Sequence, residues 1–131
     1  MASNIDKTHK PRFIDVLLFD DVNLLDISGP VQAFDTAVVN GKKRYHVRYI
    51  SIDGRPIRAG CGLRLMPDAA LSPETKSDDL LVPGGAGVDA LISDKVVCDV
   101  IATHLDRKPK GRVISICSGA LLLAAAGVLD G

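Results

Sequence analysis

Three short stretches of this chain, FIDVLLF (13–19), DDLLVPGG (78–85) and RVISI (112–116), are almost continuously apolar at their centres and rich in branched residues. Strands of that kind are buried on both faces. Segments with helical spacing separate them. Strand–helix–strand order with such strands predicts an α/β architecture, a parallel sheet with helices on both faces.

The intervening segments carry their own signals. In DDVNLLDISGP, Ser28 or Gly29 can cap a helix and Pro30 suits its first position. VQAFDTAVVN then places Val31, Phe34, Ala37 and Val38 on one face, and Asn40-Gly41 ends the helix. YHVRYISI (45–52) alternates like a half-buried strand, DGRP turns after it, and CGLRLMP (61–67) is a shorter extended piece. Residues 87–92 and 94–106 read as helical, with Val96, Val97, Val100, Ile101 and Leu105 facing inward. RKPKG is a loop, and SGALLLAAAG opens a last helix. Residues 1–11 form a polar leader expected to be mobile.

Composition excludes several classes of function. At 131 residues with 47% apolar content, the chain is one folded domain with enough length for a core. Lys+Arg and Asp+Glu number 16 each, so the excess of positive charge that marks a nucleic-acid-binding domain is missing. Lys42, Lys43 and Arg44, and then Arg107, Lys108, Lys110 and Arg112, are small clusters read as solvated loop charge. With no Trp, three Phe and two Tyr, no stacking platform for single strands is visible. Residues 1–12 lack the apolar core of a secretory signal, and no apolar run approaches the ~20 residues that span a bilayer. Cys61, Cys98 and Cys117 lie far apart and match no zinc spacing, so reduced thiols in the cytoplasm are expected, with neither metal nor cofactor.

Ligands of parallel sheets bind beyond the carboxyl ends of the strands. Three stretches fall there: Asp20–Gly29, Pro83–Gly87 and Cys117–Gly119. Cys117 sits in a tight strand-to-helix turn with the small neighbours Ser118, Gly119 and Ala120. Such a turn holds its central residue strained and exposed, and free N–H groups beyond it favour a thiolate and can hold an oxyanion. The alternative is a structural cysteine. Asp26, in the apolar setting LLDISGP, needs a partner. It is either an acid/base group hydrogen-bonded to Cys117 or a helix-capping carboxylate. PGGAG (83–87) is either a tight turn or a backbone cradle for phosphate. Cys61 and Cys98 carry no functional signal. His9 is in the leader, His46 lies within a strand, and His104 is expected at the surface near a helix end.

Together FDDVNLLDISGPVQAF, LLVPGGAGV and VISICSGALLLAAAGVLDG resemble the ThiJ/PfpI superfamily, the class I glutamine amidotransferase-like fold, in order and spacing from about Phe13 to Gly131. The resemblance runs most to the amidase-like N-terminal domain of AraC-type transcriptional regulators. Isocyanide hydratases are similar too. It implies a flavodoxin-like α/β sandwich, often dimeric, in which Asp26 is the acid/base, Cys117 the elbow nucleophile and Ser118 a replacement for the family's Thr. Gly29, Gly84, Gly85, Ala86 and Gly119 then line a small-ligand site. Members with a Cys-His pair carry the His after the elbow, whereas all three histidines here precede Cys117. The family domain also continues past the elbow helix, so the chain is expected to be a fragment, with a helix-turn-helix domain beyond it as the route to DNA. Two functions follow: a regulator's sensor domain, or a Cys-dependent hydratase or hydrolase.

Overall fold

Strand β1 (Arg12–Leu18) runs through the middle of the sheet, with Ile14, Val16 and Leu17 fully buried. The computed structural model describes residues 10–106 and 111–129. The expected leader (1–11) falls largely outside them, as does most of the RKPKG loop. β1 pairs in parallel with β4 (Tyr45–Ser51) over seven positions, from Arg12 opposite Tyr45 to Leu18 opposite Ser51. On its other side it pairs in parallel with β8 (Asp79–Val82), which pairs with β9 (Arg112–Ser115). A two-residue strand, β7 (Ala69–Ala70), extends the far edge beside β4 and was not foreseen in the sequence. The result is a five-stranded parallel sheet in the order β7-β4-β1-β8-β9, the flavodoxin-like α/β arrangement.

The order explains where a site can form. From β1 the chain passes through helix α1 (Leu24–Thr36) to β4 on one side. From β8 it passes through α2 (Val88–Leu91) and α3 (Lys95–Asp106) to β9 on the other. Right-handed crossovers in opposite directions place their helices on opposite faces. Between β1 and β8 the connections diverge, and the crevice beyond their carboxyl ends is open for ligands. α1 packs Phe34 edge-on against Tyr45, with ring centroids 4.8 Å apart.

Several local expectations are corrected. α1 starts at Leu24, capped by Asn23, whose Oδ1 accepts from the Leu25 N–H at 3.2 Å. Ser28, Gly29 and Pro30 therefore lie inside the helix, and neither Ser28 nor Gly29 caps it. An Asx cap one turn earlier overrides the weaker Ser-Gly-Pro signal. α1 ends at Thr36. Asn40 (φ +52°) and Gly41 (φ +75°) are the turn of a small antiparallel hairpin, β2 (Val38–Val39) with β3 (Lys42–Lys43), rather than a helix end. Two positive φ angles in Asn-Gly make the hairpin turn that matches strand twist. Of residues 61–67 only β6 (Arg64–Leu65) is strand, and it forms a separate antiparallel ribbon with β5 (Ile57–Arg58). In α3, Val96 points outward at 66% exposure. His104 is buried, not superficial, with Nε2 3.3 Å from the Asp78 carbonyl oxygen.

The amino ends of the strands hold charge that the apolar reading passed over. Asp15 in β1 and Asp79 in β8 are fully buried. Arg48 grips Asp15 with two N–H groups at 2.9 Å each, and Thr75 donates to the same carboxylate at 2.7 Å. Arg12 and Arg112 both grip Asp79. Buried carboxylates survive only when paired in this way.

Candidate functional site

The elbow is built as its small residues require. β9 hands over through Ile116, whose N–H donates to the Val82 carbonyl at 3.0 Å. Cys117 follows at φ +52°, a left-handed conformation that costs a non-glycine residue energy, and its side chain is exposed. The Gly119 N–H closes the turn on the Ile116 carbonyl at 2.9 Å, and the last helix, α4 (Gly119–Ala125), begins. A side chain at Gly119 would run into the Val82 and Pro83 carbonyl oxygens, so only glycine lets α4 start this close to β8.

Asp26 lies in the first turn of α1, only 9% exposed. A carboxylate there is favoured by the unsatisfied N–H groups of the helix start. Its Oδ2 accepts from the Gly84 N–H at 3.1 Å. Ser118 Oγ accepts from the next amide, Gly85 N–H, at 3.0 Å. The three loops therefore meet at Gly84. A Cβ on Gly84 would stand 2.6 Å from Ser118 Oγ, 2.7 Å from Ser118 N and 2.9 Å from Asp26 Oδ2. Among the described residues no hydrogen bond joins Asp26 to Cys117. The two residues share the neighbourhood of Gly84 and Ser118 instead.

The Gly-rich stretch is a tight, fully used turn. Gly85 has φ +135°, and a Cβ on it would lie 2.5 Å from both Asn23 N and Asp21 O. Gly85 also forms an isolated antiparallel bridge with Val22. The amides of Gly84 and Gly85 are turned to Asp26 and Ser118, which removes two donors from the phosphate-cradle reading. Ala86 follows, exposed at the rim. Gly29 stands on the exposed side of α1 with nothing within 4 Å of where its Cβ would be.

Two features were missed in the sequence. Asn23 caps α1 and also donates its backbone N–H to the Gly84 carbonyl at 2.8 Å, so one residue starts the helix and pins the Gly-rich turn. An Asn directly before an apolar, helix-like run was the available signal. The β5–β6 ribbon is clamped onto the loop after β1: Asp21 N–H donates to Arg58 O at 2.8 Å, Gly60 N–H to Val22 O at 2.9 Å, and Arg58 N–H to Asp20 Oδ1 at 3.0 Å. Nothing local in the sequence announces that contact. Between the ribbon tip and the start of α1 lies a cleft of about 560 Å³, lined by Asn23, Leu25, Ser28, Cys61, Gly85 and Ala86 among others.

The remaining titratable groups lie elsewhere. Cys98 Sγ faces the Ile92 carbonyl at 3.8 Å, and burial, with Asp94 and Asp99 nearby, pushes its thiol pKa up. His46 stacks on Phe13 at 5.3 Å near the amino ends of β1 and β4, and His104 faces Asp78 there too. His9 lies outside the described residues. Among the described residues no three His, Cys, Asp or Glu side chains are grouped to hold a metal, and no helix is long and apolar enough to cross a membrane.

The model of the DJ-1/PfpI family matches residues 13–131. An uncharacterised Streptomyces lividans protein, from the region 5′ of cpoL, is 38% identical over 126 residues, 95% of this chain and 86% of its own length. The HTH-type transcriptional regulator GbdR of Pseudomonas aeruginosa is 29% identical over 126 residues, 95% of this chain and 34% of the regulator. The isonitrile hydratase of Pseudomonas putida is 34% identical over 118 residues, 90% of this chain and 49% of the enzyme. The crystal structure of a ThiJ/PfpI family protein from Pseudomonas syringae superposes with a TM-score of 0.77 at 27% identity, covering 93% of this chain and 48% of that one. The chain thus spans a third of the regulator and about half of the hydratase and of the superposed structure.

Proposed function

The chain belongs to the DJ-1/PfpI family, and from that premise we propose that it is the N-terminal ligand-sensing domain of an AraC-type transcriptional regulator, binding a small molecule beside Cys117. DNA contact then belongs to another domain of the regulator. The sensor acts in the cytoplasm as a homodimer and needs no cofactor. One observation carries the choice of sensor over enzyme. Asp26, the carboxylate that hydrogen-bonds to the loops around the elbow, holds the Gly84 amide rather than the Cys117 thiol. Acid/base work needs the carboxylate in direct or one-water contact with the group whose proton it moves, and among the described residues no hydrogen bond joins Asp26 to the Cys117 thiol. Asp26 and Ser118 then act as struts that shape the ligand site formed with Gly84, Gly85, Ala86 and Gly119, and the most distant candidate, Gly29, lines its outer approach on α1.

The similarity to an isonitrile hydratase favours a second reading, in which Cys117 adds to a small nitrogen compound and Asp26 moves the proton. One experiment separates the two. The purified protein is incubated with an alkyl isonitrile, and the formamide produced by adding water is followed by NMR. The sensor reading expects no formation above that of a Cys117→Ser variant. Turnover that disappears in Cys117→Ser establishes the enzyme and overturns the sensor. A sequence-specific gel shift by the whole gene product is the positive test of the regulator.

A further inference from the structure

On the other side of Asp21 from the elbow lies a second and larger cleft, of about 670 Å³, between the ends of β1 and β4 and the start of α2. Its volume is in the range that holds a small organic molecule. Cys117, Asp26 and Ser118 do not line it, and of the residues assigned to the elbow site only Ala86, exposed at the shared rim, does. Its floor is the top of the core. Leu18, Phe19, Ile57 and Leu91 all line it, and each is less than a tenth exposed. These side chains are fixed by the packing below them, so the floor is preformed and apolar.

The rim has one dominant sign. Asp20, Asp21, Asp53 and Asp89 line the cleft, against a single cation, Arg55. Asp20 is oriented by accepting the Arg58 N–H at 3.0 Å. Arg55 already leans on this rim, with Nε 3.8 Å from Asp53 Oδ2, yet its side chain is 84% exposed. That contact is long and open to water, so it is worth little and an incoming cation can replace it. A preformed apolar floor beneath a ring of carboxylates complements one class of small molecule, an apolar body bearing a positive charge. An anion of the same shape meets repulsion from the rim.

We infer that this cleft binds an organic cation, an amine or guanidine with an apolar body, at a site separate from the elbow. The apolar body rests on Phe19, Ile57 and Leu91, and the charged head lies between Asp53, Asp89 and the Asp20–Asp21 turn. The turn joins this cleft to the elbow loops, because Gly87 N–H donates to the Asp21 carbonyl at 3.4 Å and Val22 bridges Gly85.

The test is an NMR titration of the isotope-labelled protein with three probes of one shape: benzylamine, benzyl alcohol and benzoate. Benzylamine is expected to shift the amide signals of residues 53–57 and 86–91 saturably, with a dissociation constant on the order of 1 mM. Benzyl alcohol is expected to bind several-fold more weakly, and benzoate not at all. Asp53 and Asp89 are exposed and hold no core contact, so Asp53→Asn with Asp89→Asn keeps the fold. That variant is expected to weaken benzylamine about fivefold, the scale of two solvent-screened charges. Cys117→Ser is expected to leave benzylamine binding unchanged. Equal binding of benzoate and benzylamine overturns the inference, as does no shift of these signals or an unaltered affinity in the double variant. Loss of binding in Cys117→Ser overturns the separateness of the cleft. A Cys117 that proves inert leaves the titration intact, so failure of the elbow reading and failure of this one are distinguishable.

Discussion

Asp79→Asn is the most informative single change for the fold. The carboxylate is fully buried between two guanidinium forks: Arg12 Nε and Nη2 at 3.1 and 2.8 Å, Arg112 Nε and Nη2 at 2.8 and 2.9 Å. Burial pushes its pKa up, but the hydrogen bonds and charges of Arg112 and Arg12 outweigh it and hold the pKa at about 2, against 3.8 for a free group. Each unit is worth about 1.4 kcal/mol, so ionised Asp79 contributes roughly 2 kcal/mol, trimmed somewhat because both arginines are partly hydrated. The folded-state pKa is depressed, so this stability is fully present above the unfolded pKa and is lost as the pH falls toward 2. Roughly half is gone by pH ~3. Asn keeps the shape but turns an amide N–H group toward two cations. Near pH 7 the variant should therefore lose about 2–4 kcal/mol, somewhat below the ~3–5 kcal/mol for breaking a fully buried pair because both arginines are partly exposed. Urea unfolding followed by far-UV circular dichroism at pH ~7, ~4 and ~3 measures both quantities. The gap between wild type and Asp79→Asn should narrow by about 1 kcal/mol between the first and last. A gap that stays constant with pH, or a variant as stable as wild type at neutral pH, refutes the argument.

Other changes probe the elbow. Gly84→Ala should destabilise by about 1–3 kcal/mol, because its Cβ lands within 3 Å of Asp26 and Ser118 atoms and must push the loops apart. Altered alkylation of Cys117 under native conditions should accompany the loss, and urea midpoints with mass spectrometry check both. Gly29→Ala should do the opposite and raise stability by about 0.5–1 kcal/mol, since the site is helical, exposed and empty around the new methyl; a lower urea midpoint would contradict the placement of residues 28–30 inside α1. Limited iodoacetamide treatment followed by peptide mass mapping should label Cys117 first and Cys98 last. Cys117 stands exposed at the elbow, while burial pushes the Cys98 pKa up. Early labelling of Cys98 is the contrary result.

What could be read from the chain divides along local and non-local lines. Four strands of the sheet, β1, β4, β8 and β9, their parallel pairing and the elbow were legible because each rests on contiguous residues: apolar or alternating runs, then Cys117 with Ser118, Gly119 and Ala120. The start of α1 was misread because two capping signals compete within seven residues, and the spatially supported one, Asn23, is held by a carbonyl from residue 84. Asn40-Gly41 was assigned to the wrong element because the same dipeptide serves a helix end and a hairpin, and only the pairing of Val38–Val39 with Lys42–Lys43 decides between them. Asp15 and Asp79 gave no warning, since an acidic residue within or at the start of an apolar run resembles a strand boundary until an arginine 33 residues away is brought beside it.

The partner of Asp26 shows the same limit at the site itself. Sequence placed it in an apolar setting that demands a hydrogen bond, and offered a helix cap or the Cys117 thiol. The structure supplies a third donor, the Gly84 amide, 58 residues away. That choice reorganises the neighbouring groups. With Gly84 N–H taken by Asp26 and Gly85 N–H taken by Ser118, the turn after β8 spends its donors on holding the other two loops together. An anion arriving at Cys117 must then compete with an internal carboxylate and an internal hydroxyl for the same two amides. Neutral ligands, or those that accept from the Ser118 hydroxyl without displacing it, face no such competition, since a hydroxyl that accepts one N–H still has its own proton to give. In the proposed sensor, the hydrogen bonds that tie these loops together thereby also bias what can dock at the elbow.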